Sequence, residues 1–338
     1  MLVINNQDLE SCNTFGISAI AKYFAEINSV DDFRSLIEDP KFKAEEKLIL
    51  GGGTNILFTK NFDGLVIRNS IRGIEVVKED PYNTWIKVAA GEPWHPFVLY
   101  CVERNLAGIE NLSLIPGLVG AAPMQNIGAY GVEIKDTCEE VEAVNRATGE
   151  PEVFSNAACE FGYRESVFKH KLKGQFMITA VTFKLNKIFK PHINYGDIKR
   201  TLEEMRVKEI TIKSVSDAVI KIRSSKLPDP KVIGNAGSFF KNPVVTKKQF
   251  NELIAKHPLM PNYSQKNGEV KIPAGWLIEQ CGWKGKVIGH TGAHKTQALV
   301  LVNYGNATGH EVYQLALEIK DSVLAKFGIK IIPEVNLV

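Results

Sequence analysis

Between residues 17 and 27 the apolar positions Ile17, Ile20, Ala21 and Phe24 recur at helical spacing, which predicts an amphipathic helix over 17–27. Ser29 with Asp32 then reads as a capping box for a short helix over 30–38. From residue 47 the pattern changes. Short apolar runs between turn residues predict strands at 47–50, 56–58, 65–67, 74–77 and 85–90. Helical spacing returns over 94–105, with Phe97, Val98, Cys101 and Val102 on one side. Residues 138–186 read as β-rich: strands at 141–144 and 152–154 flank a hairpin turn at 145–149, and 176–185 is a longer, partly alternating strand. Helices follow at 198–207 and 214–226, the second opened by Ser214 and Asp217. It stops ahead of Pro228, because the residue before a proline is pushed out of the α region. The segment 227–230 is the best linker in the chain, and a domain boundary is placed there. Beyond it, Thr246 caps a helix over 247–256, and a helix over 272–280 carries Pro273 near its start. Residues 297–303 read as a buried strand. A long helix runs from its cap at Thr308 and Glu311 to Phe327 and is ended by Gly328. The last strand, 329–338, contains Pro333 and Glu334.

Composition narrows the function classes. The chain has 338 residues and a formal net charge of +3, so it is long enough for two or three domains and carries no broad nucleic-acid footprint. A local basic pocket for an anionic ligand stays open. Cys12, Cys101, Cys138, Cys159 and Cys281 are scattered, with no CxxC pair, so neither a zinc site nor a disulfide framework is expected. A reducing, cytoplasmic setting fits. The first residues show no signal-peptide core, and no apolar run reaches the roughly 18 residues of a membrane span.

Two glycine-rich segments carry the candidate chemistry. Gly51, Gly52, Gly53, Thr54 and Asn55 follow a strand and precede another, so they lack the strand-to-helix context of the dinucleotide fingerprint. Successive N–H groups in such a turn can still cradle a pyrophosphate; a plain β-turn is the alternative. The stretch 115–131 is long, uncharged and built of small residues. A backbone without bulk can approach a flat, phosphate-bearing cofactor closely, while the alternative is a ligand-free surface loop. His95, beside prolines, reads as a capping or surface residue. Arg164 could present its planar donor fork to a carboxylate or phosphate, or form a surface salt bridge. Ser238 sits in a small-residue turn that does not match the GxSxG elbow, so acyl transfer is not favoured. Glu334 is either an exposed edge residue or a site residue.

Taken in order, 51–58, 115–131, Tyr163-Arg164, 237–243, 274–278 and 333–335 resemble the UDP-N-acetylenolpyruvoylglucosamine reductases, flavoenzymes that make UDP-N-acetylmuramate for peptidoglycan. The resemblance runs nearly end to end. Tyr195 and the segment 228–250 resemble the longer class, which has a tyrosine loop over the substrate. The resemblance implies an α+β, FAD-binding fold of the vanillyl-alcohol-oxidase (PCMH) type with an inserted α+β substrate-binding domain. It implies FAD-binding subdomains at 1–70 and 71–226, a substrate-binding domain at 227–327 and a C-terminal strand, 328–338, returning to the FAD-binding part.

FAD is then expected to bind without a covalent tether, through Gly51, Gly52, Gly53, Thr54, Asn55, Pro116, Gly117, Gly120, Gln125, Asn126, Gly128, Ala129, Tyr130 and Gly131. NADPH is the expected co-substrate, and the expected form is a cytoplasmic monomer acting on a nucleotide-sugar, with no nucleic-acid or membrane partner. The resemblance assigns enolate stabilisation to Arg164 and Glu334 and protonation to Ser238, brought to one face of the flavin. Glu334 beside a substrate carboxylate would be costly if ionised, so it is expected to act protonated or to share a proton. Substrate contacts are implied at Tyr195, Lys226, Asn242, Tyr263 and Gln297. Asn336 departs from the basic residue that some members carry two places after the final glutamate. Two rivals remain: a flavin oxidase with covalently held FAD, against which stands the lack of His in 51–58 and 115–131, and a non-catalytic nucleotide-sugar binder, disfavoured by Arg164, Ser238 and Glu334 together.

Overall fold

The computed structural model of the protein describes residues 1–265 and 267–338. The chain divides into two compact units that do not follow chain order. One comprises Met1–Gln7, Ala21–Gly52 and Asp63–Ser225; the other comprises Asp8–Ile20, Gly53–Phe62 and Lys226–Val338.

The first unit holds two sheets. In one, the strands run Val3–Asp8, Ile20–Ile27, Phe62–Asn69, Glu46–Leu50, and the last two pair in parallel with Ile49 opposite Ile67. The helix Val30–Glu38 covers it, capped as expected: Ser29 accepts from Asp32 N and the Asp32 carboxylate closes the box. Phe33 and Leu36 of this helix pack against Ala25, Ile27, Leu65 and Ile67. The second sheet is antiparallel and five-stranded, in the order Pro151–Ser155, Cys138–Asn145, Phe176–Asn186, Asn83–Ala89, Ile74–Glu79. Its hairpin turns at 145–149, where Gly149 has φ +74° and its N–H reaches the Asn145 carbonyl at 2.8 Å. The helix Trp94–Glu103 buries Trp94, Phe97, Val98 and Cys101 against this sheet, with the Trp94, Phe97 and Phe183 rings in mutual contact. Helices Ile198–Glu204 and Ile212–Lys226 pack on each other through Ile198, Leu202, Val215, Val219 and Ile222.

The second unit is built on an antiparallel sheet ordered Gly234–Ser238, Val300–Asn303, Thr291–Ala293, Val287–Ile288. Helices Lys247–Lys256, Ala274–Gln280 and Gly309–Phe327 surround its core of Phe239, Phe240, Leu277, Ile278, Leu301 and Ile319. The C-terminal pair Asn336–Leu337 lies parallel to Ile56–Leu57.

Three expectations are corrected. Residues 20–27 form a strand, not part of a helix. Within the strand Tyr23, Ala25 and Ile27, at every second position, pack into the core beneath the sheet, and that period prevails because the segment gains partners there. The helix expected from 214 begins at Ile212, since Thr211 and Ser214 exchange backbone-to-hydroxyl bonds ahead of it. The terminal segment, expected as one strand over 329–338, is a strand only at Asn336–Leu337, with an isolated bridge from Pro333 to Phe240.

Candidate functional site

In the first unit the stretch 115–131 is not a loose loop. Two short 3-10 turns, Val119–Ala121 and Pro123–Gln125, and the hairpin Gly128–Ala129 with Val132–Glu133 organise it. Gly117 takes φ +118°, outside the range of a side-chain-bearing residue, and its carbonyl accepts from Trp94 N. Gly120 lies against Ala90: an added Cβ would come within 2.5 Å of the Ala90 Cβ, and Gly120 N bonds the Ala90 carbonyl at 2.9 Å. The close neighbour that smallness admits at Gly120 is therefore the protein itself. Gly51, in the same unit, faces Leu118.

Asn126 is fully buried at φ +45°; its amide donates to the Gly162 carbonyl at 2.8 Å and its Oδ1 accepts from Lys135 N. That bond fixes the turn Gly162–Glu165 from which Arg164 projects, itself at φ +56°. Arg164 Nη2 donates to the Gly128 carbonyl at 2.8 Å, and an added Cβ on Gly128 would meet Arg164 Nη1 at 3.3 Å. Tyr195 packs over Gly131, and Gly196 over the Tyr130 ring. So Arg164, Gly128, Tyr130, Gly131 and Tyr195, which the sequence spreads over 68 positions (195 minus 128, counted inclusively), share one region of this unit.

Sequence reading missed Arg223. It lies one helical turn beyond Val219, on the buried stripe of Ile212–Lys226, and its guanidinium is bonded to Tyr130. Burial pushes it below the ordinary arginine value; Tyr130 opposes this and the like charge of Arg164 adds to it. A charged residue at a stripe position was the available signal.

In the second unit the segments that carry Ser238 and Glu334 run side by side. Ser238 ends the strand Gly234–Ser238, opposite Val300, after a register shift that begins at Asn235. Gly237 supplies the irregularity at φ +69°, and its N–H bonds Asn235 Oδ1 at 2.9 Å. Such a bulge re-aims the following side chain. Phe239 and Phe240, both buried, anchor the chain beyond it. Glu334 N donates to the Phe239 carbonyl at 2.7 Å and Lys241 N to the Ile332 carbonyl, so residues 332–334 run beside 239–241. Asn55 Nδ2 donates to the Glu334 carbonyl at 3.2 Å, and Asn336 returns two bonds to the Asn55 carbonyl. The neutral Asn336 thus ties the glycine turn to the C-terminal segment, a use that a cation there would not reproduce in the same way.

The expected substrate contacts of this unit have partners that orient them. Asn242 Oδ1 accepts from Ala274 N at 2.9 Å and so caps the helix Ala274–Gln280. Gln297 lies against Gly275, with its Oε1 2.9 Å from where a Cβ would stand. The Lys226 carbonyl accepts from Thr296 Oγ1, next to Gln297. Tyr263 is exposed on a short strand.

These residues suit a flavin. The run 115–131 bears no charge, and Ile115, Leu118 and Ile127 stay partly open to solvent, an apolar surface that a flat ring can cover. The cavities of about 400 Å³ around Lys47 and Arg146 and about 330 Å³ around Met1 and Phe24 lie on other surfaces of the chain. Among the described residues no group of three potential metal ligands occurs, and no helix is long and apolar enough to cross a membrane.

Comparison with known proteins agrees with this chemistry. Residues 21–155 match the FAD binding domain family, and residues 229–338 match the UDP-N-acetylenolpyruvoylglucosamine reductase, C-terminal domain family. The solved UDP-N-acetylenolpyruvylglucosamine reductase of Thermus caldophilus shares the fold at a TM-score of 0.68 and 22% identity, over 99% of this chain and 98% of that one. The mixed helix and strand fold and the FAD binding domain match define an α+β flavoprotein. The reductase of Flavobacterium johnsoniae is 51% identical over the whole of both chains, and that of Amoebophilus asiaticus is 50% identical over 98% of each. The chain belongs to the UDP-N-acetylenolpyruvoylglucosamine reductase family, and is an oxidoreductase.

Proposed function

We propose that this protein reduces the enolpyruvyl group of UDP-N-acetylglucosamine enolpyruvate to the lactyl ether of UDP-N-acetylmuramate, with NADPH as reductant, during peptidoglycan precursor synthesis in the cytoplasm. The observation that carries the reading is that Glu334 lies on the segment beside the one that follows Ser238, joined by the 2.7 Å bond from Glu334 N to the Phe239 carbonyl.

FAD, when bound, relays two electrons as a hydride from nicotinamide to substrate. Residues 51–55 and 115–131 are the segments that would hold it. Hydride addition at the terminal methylene leaves negative charge on the adjacent carbon, delocalised into the carboxylate. Arg164 offers a fixed guanidinium for that charge, and preorganised donors at a developing oxyanion contribute roughly 3–4 kcal/mol each. Ser238 gives its hydroxyl proton to the carbon and recovers one from solvent. Because a serine hydroxyl is a weak acid, this works only against a strongly basic carbon. Glu334 shares a proton within the carboxylate network. Lys226 suits a diphosphate as a point charge, and Asn242, Gln297, Tyr195 and Tyr263 supply hydrogen bonds to the nucleotide-sugar.

The test follows NADPH consumption with the enolpyruvyl nucleotide-sugar alongside the flavin spectrum. Ser238→Ala is expected to leave flavin reduction by NADPH within about twofold, while flavin reoxidation by the substrate falls roughly 10²-fold or more. An equal fall in both half-reactions removes Ser238 as proton donor, and no substrate-dependent NADPH oxidation by the intact protein removes the function.

A further inference from the structure

The stretch 115–131 begins directly after Leu114, which takes φ +57°. A bulky residue in the left-handed region is an outlier that persists only where its surroundings hold it. Both of its peptide groups are held by side chains. Leu114 N donates to His95 Nδ1 at 3.0 Å, and the Leu114 carbonyl accepts from Arg223 Nε at 3.2 Å. The far end of the stretch is tied to the same corner. Tyr130, at φ +50°, has its side chain bonded to the Arg223 guanidinium, and its carbonyl accepts from Asn111 Nδ2 at 2.9 Å. Asn111 is fully buried and also holds the His192 carbonyl at 2.8 Å, in the segment leading to Tyr195. One guanidinium thus reaches both ends of a 17-residue stretch (131 minus 115, counted inclusively).

We propose that His95 and Arg223 are positioning residues for the flavin: they fix the Leu114 peptide and so set the course of the stretch that covers the cofactor. This rests on the reading that 115–131 contacts FAD. Neither residue needs to touch it.

The His95 bond has a protonation requirement. Nδ1 accepts only as a bare nitrogen, so the ring is neutral with its proton on Nε2. Burial, and then the positive charge of Arg223, hold the His95 pKa below the ordinary imidazole value, which keeps the bond at neutral pH. The charged groups of this corner are Arg223 from Ile212–Lys226, Arg164, which acts on Arg223, and Glu110 from the turn before Leu114. The Glu110 carboxyl accepts from Gly108 N and is raised by burial. As pH falls through the lowered His95 value, the ring gains a proton facing the Leu114 N–H, and the peptide loses its clamp.

The test measures FAD dissociation by flavin fluorescence from pH 5 to 8 on the full chain, with hydrogen exchange of 113–131 in the presence and absence of FAD. His95→Asn keeps an acceptor near the Nδ1 position without titrating; His95→Phe removes it. At pH 7.5 the asparagine variant is expected to bind FAD within about threefold of the native protein and the phenylalanine variant about tenfold more weakly, with faster exchange at Leu114. Toward pH 5 the native protein is expected to lose affinity more steeply than His95→Asn. FAD protection of 115–131 together with native affinity in His95→Phe overturns the proposal alone. Protection confined to other segments overturns the flavin reading and the proposal with it. If His95→Phe does not fold, identical pH profiles for the native protein and His95→Asn overturn it.

Discussion

At Gly275 the missing Cβ leaves room for the Gln297 side chain. An added methyl would meet the Gln297 side-chain oxygen at 2.9 Å, the far end of a flexible side chain, and otherwise only the Leu299 Cβ at 3.6 Å. Gly275 lies inside the helix Ala274–Gln280, where alanine is the better helix former by about 1 kcal/mol. Gly275→Ala is therefore expected to leave the melting temperature unchanged or slightly raised. It should increase the KM for the nucleotide-sugar about tenfold with a smaller change in kcat, read by steady-state kinetics beside a thermal melt. Gly53 contrasts with it: there a Cβ would fall 2.0 Å from the Cys12 carbonyl oxygen, against backbone that cannot step aside. The sequence marks both positions only as glycine. Which neighbour each one admits depends on chain segments far away in number.

Among the elements, the helix Gly309–Phe327 was legible end to end because its signals are local. Thr308 and Glu311 close a capping box, and Gly328 takes φ +64° as the stop. Thr308→Ala is expected to lower stability by about 1 kcal/mol, measured by denaturant unfolding. The Glu311 carboxyl lies below its ordinary value, chiefly because it accepts from the Thr308 N–H and hydroxyl. Its contribution is present above the ordinary carboxylate pKa and is lost as pH falls through the lowered one, so the gap between native and Thr308→Ala should narrow toward acid. Residues 20–27 misled for the opposite reason. Ile17, Ile20, Ala21 and Phe24 satisfy a helical period, but Ala21, Tyr23, Ala25 and Ile27 satisfy a strand period equally well. Only the neighbouring strands in the sheet chose between them.

For the molecule as a whole, the thiols report the interior. All five cysteines are free; Cys101, Cys138 and Cys159 are buried, and Cys12 and Cys281 are half-buried. Burial raises the first three thiols, Cys159 to about 12. Native protein is expected to take a maleimide at Cys12 and Cys281 alone and at all five in denaturant, counted by mass spectrometry. Because the folded state holds these protons more tightly, their contribution to stability is full below the unfolded thiol value near about 8.5 and is lost as pH rises above it. The division into two units was only half visible. One division falls between Ser225 and Lys226, just before the Pro-rich segment 227–230, but 8–20 and 53–62 join the second unit with no composition signal, since they belong to it by packing Phe15, Ile17 and Leu57 into its core.

What the sequence determined alone is whatever lies within one turn or one period: caps, stops, the hairpin at 145–149, and the ordered motifs that carry the family. What only the tertiary structure decided is which distant groups share a corner. The segments carrying Ser238 and Glu334 are joined by a main-chain bond between Phe239 and Glu334, and the hold on Leu114 comes from His95 and Arg223, 19 and 109 positions away. Backbone N–H and C=O groups carry no residue-specific label, so a bond that uses them leaves no pattern in the order of side chains.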